Sequence, residues 1–255
     1  MKALITGASS GIGREIARVL AEKGVELVLC SRNENALHEL AAELKTPCRV
    51  VALDLSEPEN CRKLHETTRA DGIDILVNNA GFGVFGAFSE TSLDSELECV
   101  RLNVCAVHIL TKLFLADFRE RGREAFILNV SSMAGFFPGP LFSTYYATKN
   151  YVSALTAGIA EELRRERSRV SVSLLCPGPV PTNFGARAGV SFGLSGTPVR
   201  EVAELAVRGM FAGKLFIVPG RIFRALLFLS RFLPRALTAR IVFRCQNSKS
   251  LLARR

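Results

Sequence analysis

Seven short runs rich in leucine and β-branched residues recur through the first 218 positions, each parted from the next by a longer stretch of helical periodicity. They fall at 3–6, 26–31, 49–53, 73–77, 125–130, 170–175 and 215–218, with helices predicted at about 12–22, 34–44, 58–69, 93–118, 144–166 and 198–212. Runs that are apolar at nearly every position suit strands buried on both faces, and the helices between them provide the crossovers that parallel strands require. The alternation predicts an α/β fold built on one doubly wound, seven-stranded parallel sheet. Ligands of such a sheet collect beyond the carboxyl ends of its strands.

At 255 residues and 48% hydrophobic composition the chain can bury a sizeable core, which excludes a disordered protein. Arg221, Arg224, Arg231, Arg235 and Arg240 break the most apolar stretch, so no uninterrupted apolar run approaches the roughly 20 residues of a membrane-spanning helix. The first residues pass directly into a strand pattern without a secretory h-region, and a cytoplasmic location is expected. Seven scattered cysteines form no Cys-x-x-Cys pair, and His38, His65 and His108 lack metal-ligand spacing. Reduced structural thiols and no metal site are expected. The net charge of +9 is uneven: residues 208–255 carry 11 Lys/Arg and no Asp/Glu, so the preceding 207 residues are slightly acidic. That asymmetry, without interleaved base-stacking aromatics, argues against nucleic acid as partner.

The first strand runs into Thr6-Gly7-Ala8-Ser9-Ser10-Gly11-Ile12-Gly13 and then an amphipathic helix. Glycines at this spacing allow a tight turn and close approach of backbone N–H groups to a pyrophosphate lying on a helix N-terminus. The turn points to a dinucleotide and makes the sheet Rossmann-type. At the end of the second strand, where a carboxylate would bind a free ribose 2′-hydroxyl, stand Ser31, Arg32 and Asn33. A guanidinium there can hold a 2′-phosphate, so NADP(H) is the expected cofactor. Asp54 and Leu55, ending the third strand, are candidates for the adenine.

Tyr145 and Lys149 lie four apart near the start of a long predicted helix and share one face. An ammonium beside a phenol lowers its pKa and fits it for proton transfer. Tyr146 has Asn150 at the corresponding position, which predicts a packing role. With these residues, the glycine turn, Asp54, Asn78-Asn79-Ala80-Gly81, Asn103, Ser131-Ser132 and Pro177-Gly178-Pro179-Val180-Pro181-Thr182 in order, residues 1–220 resemble the short-chain dehydrogenase/reductase family. The resemblance implies that Tyr145 exchanges a proton with the substrate oxygen, that Lys149 tunes Tyr145 and binds the nicotinamide ribose, and that Ser132 orients the substrate oxygen. It further implies that Asn103 holds a water in a proton relay, that Asn79, Ala80 and Gly81 pass beside the cofactor ribose, and that Pro177, Gly178, Val180 and Thr182 border the nicotinamide. Pro181 departs from the usual pattern of that loop. The family habit of assembling predicts a homo-oligomer.

Apolar residues surround these positions: Phe82, Val84 and Phe85, then Phe136, Phe137, Leu141 and Phe142, then Phe184, Phe192 and Leu194. They predict a hydrophobic ketone, aldehyde or alcohol of lipid-, steroid- or retinoid-like character, beneath a substrate lid within 179–213. Residues 1–220 are expected to form the catalytic domain and 221–255 a basic amphipathic extension. Its arginines surround an apolar series that packs on the cleft or on a second subunit, or else rests on an anionic membrane surface. An NADPH sensor or membrane-surface scaffold without turnover is the alternative to an enzyme.

Overall fold

The computed structural model describes residues 1–182, 184–185 and 196–252, with side chains through 247. Its strands are β1 (Lys2–Thr6), β2 (Glu26–Ser31), β3 (Cys48–Ala52), β4 (Ile75–Asn78), β5 (Ala125–Val130), β6 (Val170–Leu175) and β7 (Phe216–Ile217). All pair in parallel in the order β3-β2-β1-β4-β5-β6-β7. The order reverses between β1 and β4, and the carboxyl ends at that switch point form the crevice in which such sheets hold ligands.

The helices are α1 (Gly11–Glu22), α2 (Glu34–Glu43), α3 (Pro58–Thr68), α4 (Leu93–Val100), α5 (Val107–Arg121), α6 (Ser143–Arg165) and α7 (Val199–Phe211). Alternation along β1 sends Ala3 and Ile5 into a core shared with Ile16 and Leu20 of α1 and Val202, Ala206 and Met210 of α7. Leu4 points the other way, into a core with Leu110, Phe114 and Phe118 of α5 and Leu163 of α6. Both faces of the sheet are thereby covered, which is why its strands read as continuous apolar runs.

One feature differs from expectation. The single helix predicted at 93–118 contains a π-helical turn, Arg101–Ala106, between α4 and α5. The whole span 93–121 is long and apolar enough to cross a membrane by length and composition. Its apolar residues Leu110, Phe114 and Phe118 are instead fully packed in the protein's own core. After β7 the chain turns at Gly220 into α8 (Arg221–Ser230), breaks before Pro234, and resumes as α9 (Arg235–Leu252). Proline cannot continue the preceding hydrogen-bond ladder, which accounts for the break.

Candidate active site

A cleft of about 780 Å³ opens along the carboxyl edge of the sheet, from Asn33 at one end to Gln246 at the other. Its first wall is the turn between β1 and α1. Gly7 and Gly11 adopt φ values of +66° and +57°, a region that side chains other than glycine disfavour. A Cβ on Gly7 would come within 2.9 Å of the Ala80 backbone, so the turn and the segment after β4 are held in close apposition. Asn79 secures them by donating from Nδ2 to the carbonyls of Thr6 and Gly7. Ser9, Ser10, Gly11 and Ile12 line the cleft. Gly13 does not: a Cβ there would meet the Gly7 carbonyl at 2.6 Å, so its smallness lets α1 approach the turn. This backbone cradle at the start of an α-helix fits a pyrophosphate.

At the Asn33 end, Ser31, Arg32, Asn33, Asp54 and Leu55 all border the cleft. Asn33 caps α2, its Oδ1 accepting from the Ala36 N–H at 3.1 Å. The Arg32 guanidinium lies 3.1 Å from Glu98 and 3.4 Å from Asp54. Burial acts to raise the Asp54 pKa, but the Ser56 backbone and hydroxyl, with Arg32, hold its carboxyl below the ordinary value. One cation thus stands between two carboxylates. The sequence did not signal Glu98, which arrives from α4 across 66 residues.

The catalytic candidates meet at the floor. Tyr145 and Lys149 project from the first turns of α6, and Ser132 leaves the end of β5; all three line the cleft. Ser132 is held in place by the Ala134 N–H, which donates to its Oγ at 3.1 Å. Ser131 faces the fold, with its hydroxyl bonded to the Lys149 carbonyl and the Ser153 hydroxyl. Lys149 is 5% exposed and its Nζ donates to the Val130 carbonyl at 2.9 Å.

Spacing predicts an ammonium that acidifies the phenol, and here the structure differs. Burial pushes Tyr145 well above its ordinary value, opposed by its hydrogen bond to Ser132. Burial also pulls Lys149 down to about 8, with the nearby Cys99 and Cys176 thiols acting the other way. Nζ is aimed at a main-chain carbonyl, 5.8 Å from the centre of the phenol ring. Desolvation therefore governs both groups.

Asn103 is fully buried in the π-helical turn and does not line the cleft. Its Oδ1 accepts from the Phe82 N–H and its Nδ2 donates to the Phe82 carbonyl and the Thr148 hydroxyl. Those bonds direct the side-chain amide to the protein, where it anchors the segment after β4. Gly81 lies against it, where a Cβ would meet Asn103 Oδ1 at 2.8 Å. π-Turns of this kind are frequent at functional sites.

Pro177, Gly178, Val180 and Thr182 complete the opposite wall. Beyond Tyr145 the cleft becomes apolar. Phe82, Phe142 and Phe184 line it, Phe142 stacking on Tyr145 with ring centres 4.6 Å apart and Phe184 lying 5.3 Å from the same ring. Phe85 supports Phe142 from behind, whereas Phe136 turns away to pack near Phe216. Val84, Phe137 and Leu141 do not line the cleft. Phe192 and Leu194, and most of the predicted lid at its first half, lie outside the described residues. Residues not anticipated from sequence also border the cleft, above all Tyr146 and Gln246.

Residues 1–189 match the family model described as "short chain dehydrogenase". The chain is 37% identical over 192 residues to dehydrogenase/reductase SDR family member 11 of Bos taurus, covering 71% of this chain and 75% of that protein. Among solved structures it is similar to a short-chain dehydrogenase from Sphingobium yanoikuyae in complex with NADPH. The TM-score is 0.80 and the identity 30%, over 92% of this chain and 97% of that one. It is likewise similar to a short-chain dehydrogenase/reductase from Burkholderia phymatum in complex with NAD. There the TM-score is 0.82 and the identity 27%, over 90% and 92% of the two chains.

Proposed function

The chain belongs to the short-chain dehydrogenase/reductase family, an oxidoreductase family, and from that premise we propose that it interconverts a bulky apolar ketone or aldehyde and its alcohol with NADP(H). The observation that carries this reading is the convergence of Ser132, Tyr145 and Lys149 on one cleft that is a backbone cradle at one end and apolar at the other. The relatives in complex with NADPH and with NAD support a nicotinamide dinucleotide in the cradle. Arg32 supports the phosphorylated form, since a 2′-phosphate would draw its guanidinium from Asp54 and Glu98 into charge-assisted hydrogen bonds. The bound nicotinamide supplies or accepts hydride at the substrate carbon.

The residues do the rest. A phenol held protonated by burial suits donation to a carbonyl oxygen, so Tyr145 acts as general acid in reduction. Ser132 orients that oxygen. As the proton leaves, the Lys149 ammonium compensates the phenolate charge in a medium where water does not screen it. Asn103 is a positioning residue that fixes the Phe82 backbone, and the rings of Phe82, Phe142 and Phe184 select apolar bulk.

Residues 1–220 are the catalytic domain in this reading, and 221–255 an extension that attaches it to an anionic membrane surface. The support lies in α8 and the residues just after it. Ile222, Phe228 and Phe232 are 73%, 57% and 73% exposed, beside Arg221, Arg224 and Arg231 and with no acidic residue in the extension. Apolar side chains among arginines complement an interface of acyl chains and anionic headgroups.

The purified protein, incubated with NADPH and a panel of carbonyl compounds, should oxidise the cofactor with bulky apolar ketones and not with sugars or hydroxy acids. NADPH binding without turnover of any carbonyl would instead favour a sensor.

A further inference from the structure

The geometry points to a second polar subsite in the cleft, formed by Tyr146 and Gln246, that binds a hydroxyl carried by the substrate away from its reacting carbonyl. It rests on the oxidoreductase reading of the cleft and names a substrate class for it: apolar carbonyl compounds with a distal hydroxyl.

Helix α9 is oriented against its own hydrophobicity. Thr238, Val242 and Gln246, at i, i+4 and i+8, share one face; Thr238 and Gln246 are buried, while Leu237, Ile241 and Phe243 are all more than 40% exposed. An orientation set by apolar burial alone would turn the leucine and isoleucine inward. The helix instead delivers an amide to the cleft. Gln246 is 3% exposed and borders the same cavity as Tyr145 and Ser132.

Its hydrogen bonding is half complete. Nε2 donates to the Tyr146 hydroxyl oxygen at 2.7 Å, and Oε1 is buried with no partner among the described residues. A buried acceptor left without a donor is costly, and a ligand that satisfies it recovers that cost. Tyr146 is fixed by its surroundings: its ring covers Gly139, where a Cβ would lie 2.0 Å from a ring carbon, and it packs edge-on to Tyr145 with centres 6.1 Å apart. With its oxygen engaged by Nε2, the Tyr146 O–H proton is free to be donated. The pair therefore presents one acceptor, Gln246 Oε1, and one donor, the Tyr146 O–H. An alcohol group, which both donates and accepts, complements them. The acceptor–donor pair sits beside the catalytic phenol, next to the rings of Phe142 and Phe184, so the two oxygens of the substrate are joined by an apolar frame.

The test compares decalone with decalones bearing a ring hydroxyl distal to the carbonyl. Their binding is measured by calorimetry to the full chain loaded with NADP+, which has no hydride to give, so the subsite is read without turnover. Wild type should bind at least one hydroxydecalone isomer about tenfold more tightly than decalone, the worth of one net hydrogen bond or two. Gln246→Leu should abolish that preference while leaving decalone binding intact, and Gln246→Glu, which keeps an acceptor, should retain most of it. Equal affinities for all the compounds in wild type, no binding of any hydroxydecalone, or an equal loss for both classes in Gln246→Leu would overturn the subsite. Failure of NADPH-dependent reduction with these same ketones would count against the oxidoreductase reading alone.

Discussion

The sheet domain and the C-terminal helices solve the burial problem in opposite ways. In the body, Leu110, Phe114 and Phe118 of a helix apolar enough for a membrane turn inward against the sheet. In α8 and α9 most of the large apolar side chains turn outward, Leu227 being a buried exception, while a threonine and a glutamine are buried. Nine of the fifteen exposed large hydrophobic residues described lie from Ile222 to Phe243, so the exposed apolar surface is concentrated on the C-terminal helices. A helix that leaves its apolar face unburied is shaped for something outside the fold, and one that buries an amide is shaped for something inside the cleft. In the proposed reading the body provides the chemistry, and the extension provides attachment and selection.

The body carries its own exception in Lys149, and the largest expected effects come from removing it. Lys149→Met should lower kcat/KM for carbonyl reduction by at least about 10²-fold, within the range of a general acid–base pair. In wild type the same parameter should be level below pH about 8 and fall above it, as Lys149 loses its charge. Stability should move the other way. The folded-state value of about 8 lies below the ordinary 10.5, so the folded chain binds fewer protons than the unfolded one between those limits. Stability of wild type relative to Lys149→Met then rises with pH across that window, and the penalty is complete below it. The shift corresponds to roughly 3 kcal/mol, against about 1 kcal/mol for the lost bond to the Val130 carbonyl. Chemical denaturation at neutral pH should therefore find Lys149→Met the more stable protein, an advantage that vanishes in alkali. A less stable variant at neutral pH would erase the contrast between a strained floor and a relaxed core.

A smaller effect tests the outward face. Replacing Phe228 and Phe232 together by Ser should reduce partitioning onto anionic vesicles by about 10- to 100-fold, from the transfer energy of two aromatic side chains, and leave soluble reductase activity unchanged. Vesicle sedimentation that is identical for the two proteins would remove membrane attachment from the account. Smaller again is Arg32→Ala, expected to raise the KM for NADPH about tenfold and to leave that for NADH nearly unchanged. Asp54 and Glu98 already occupy the guanidinium, so the discrimination is modest. An equal change for both cofactors would deny Arg32 its role at the 2′-phosphate.

The body was legible in the sequence because its signals are local. Strands buried on both faces leave unbroken apolar runs, and β2, β5 and β6 match their predicted limits. The turn from Gly7 to Gly13 is read from adjacent glycines. The extension resists because periodicity identifies an apolar face without saying what covers it. Gln246 meets Tyr146 across 100 residues, a contact no spacing announces. Tyr146 therefore reads as packing alone, from its lack of a lysine partner. The relation of Tyr145 to Lys149 was half legible: four residues fix their common face, but whether Nζ turns to the phenol or to the Val130 carbonyl depends on β5. The π-turn that positions Asn103 likewise lacks a local signature.

The most direct measurement is single-turnover hydride transfer from NADPH to an apolar ketone, compared between wild type and Tyr145→Phe, with NADPH affinity determined for both. Loss of the buried proton donor should slow transfer by about 10²- to 10⁴-fold while the cofactor binds as before. Transfer by Tyr145→Phe at the wild-type rate would contradict the assignment of Tyr145 as the acid.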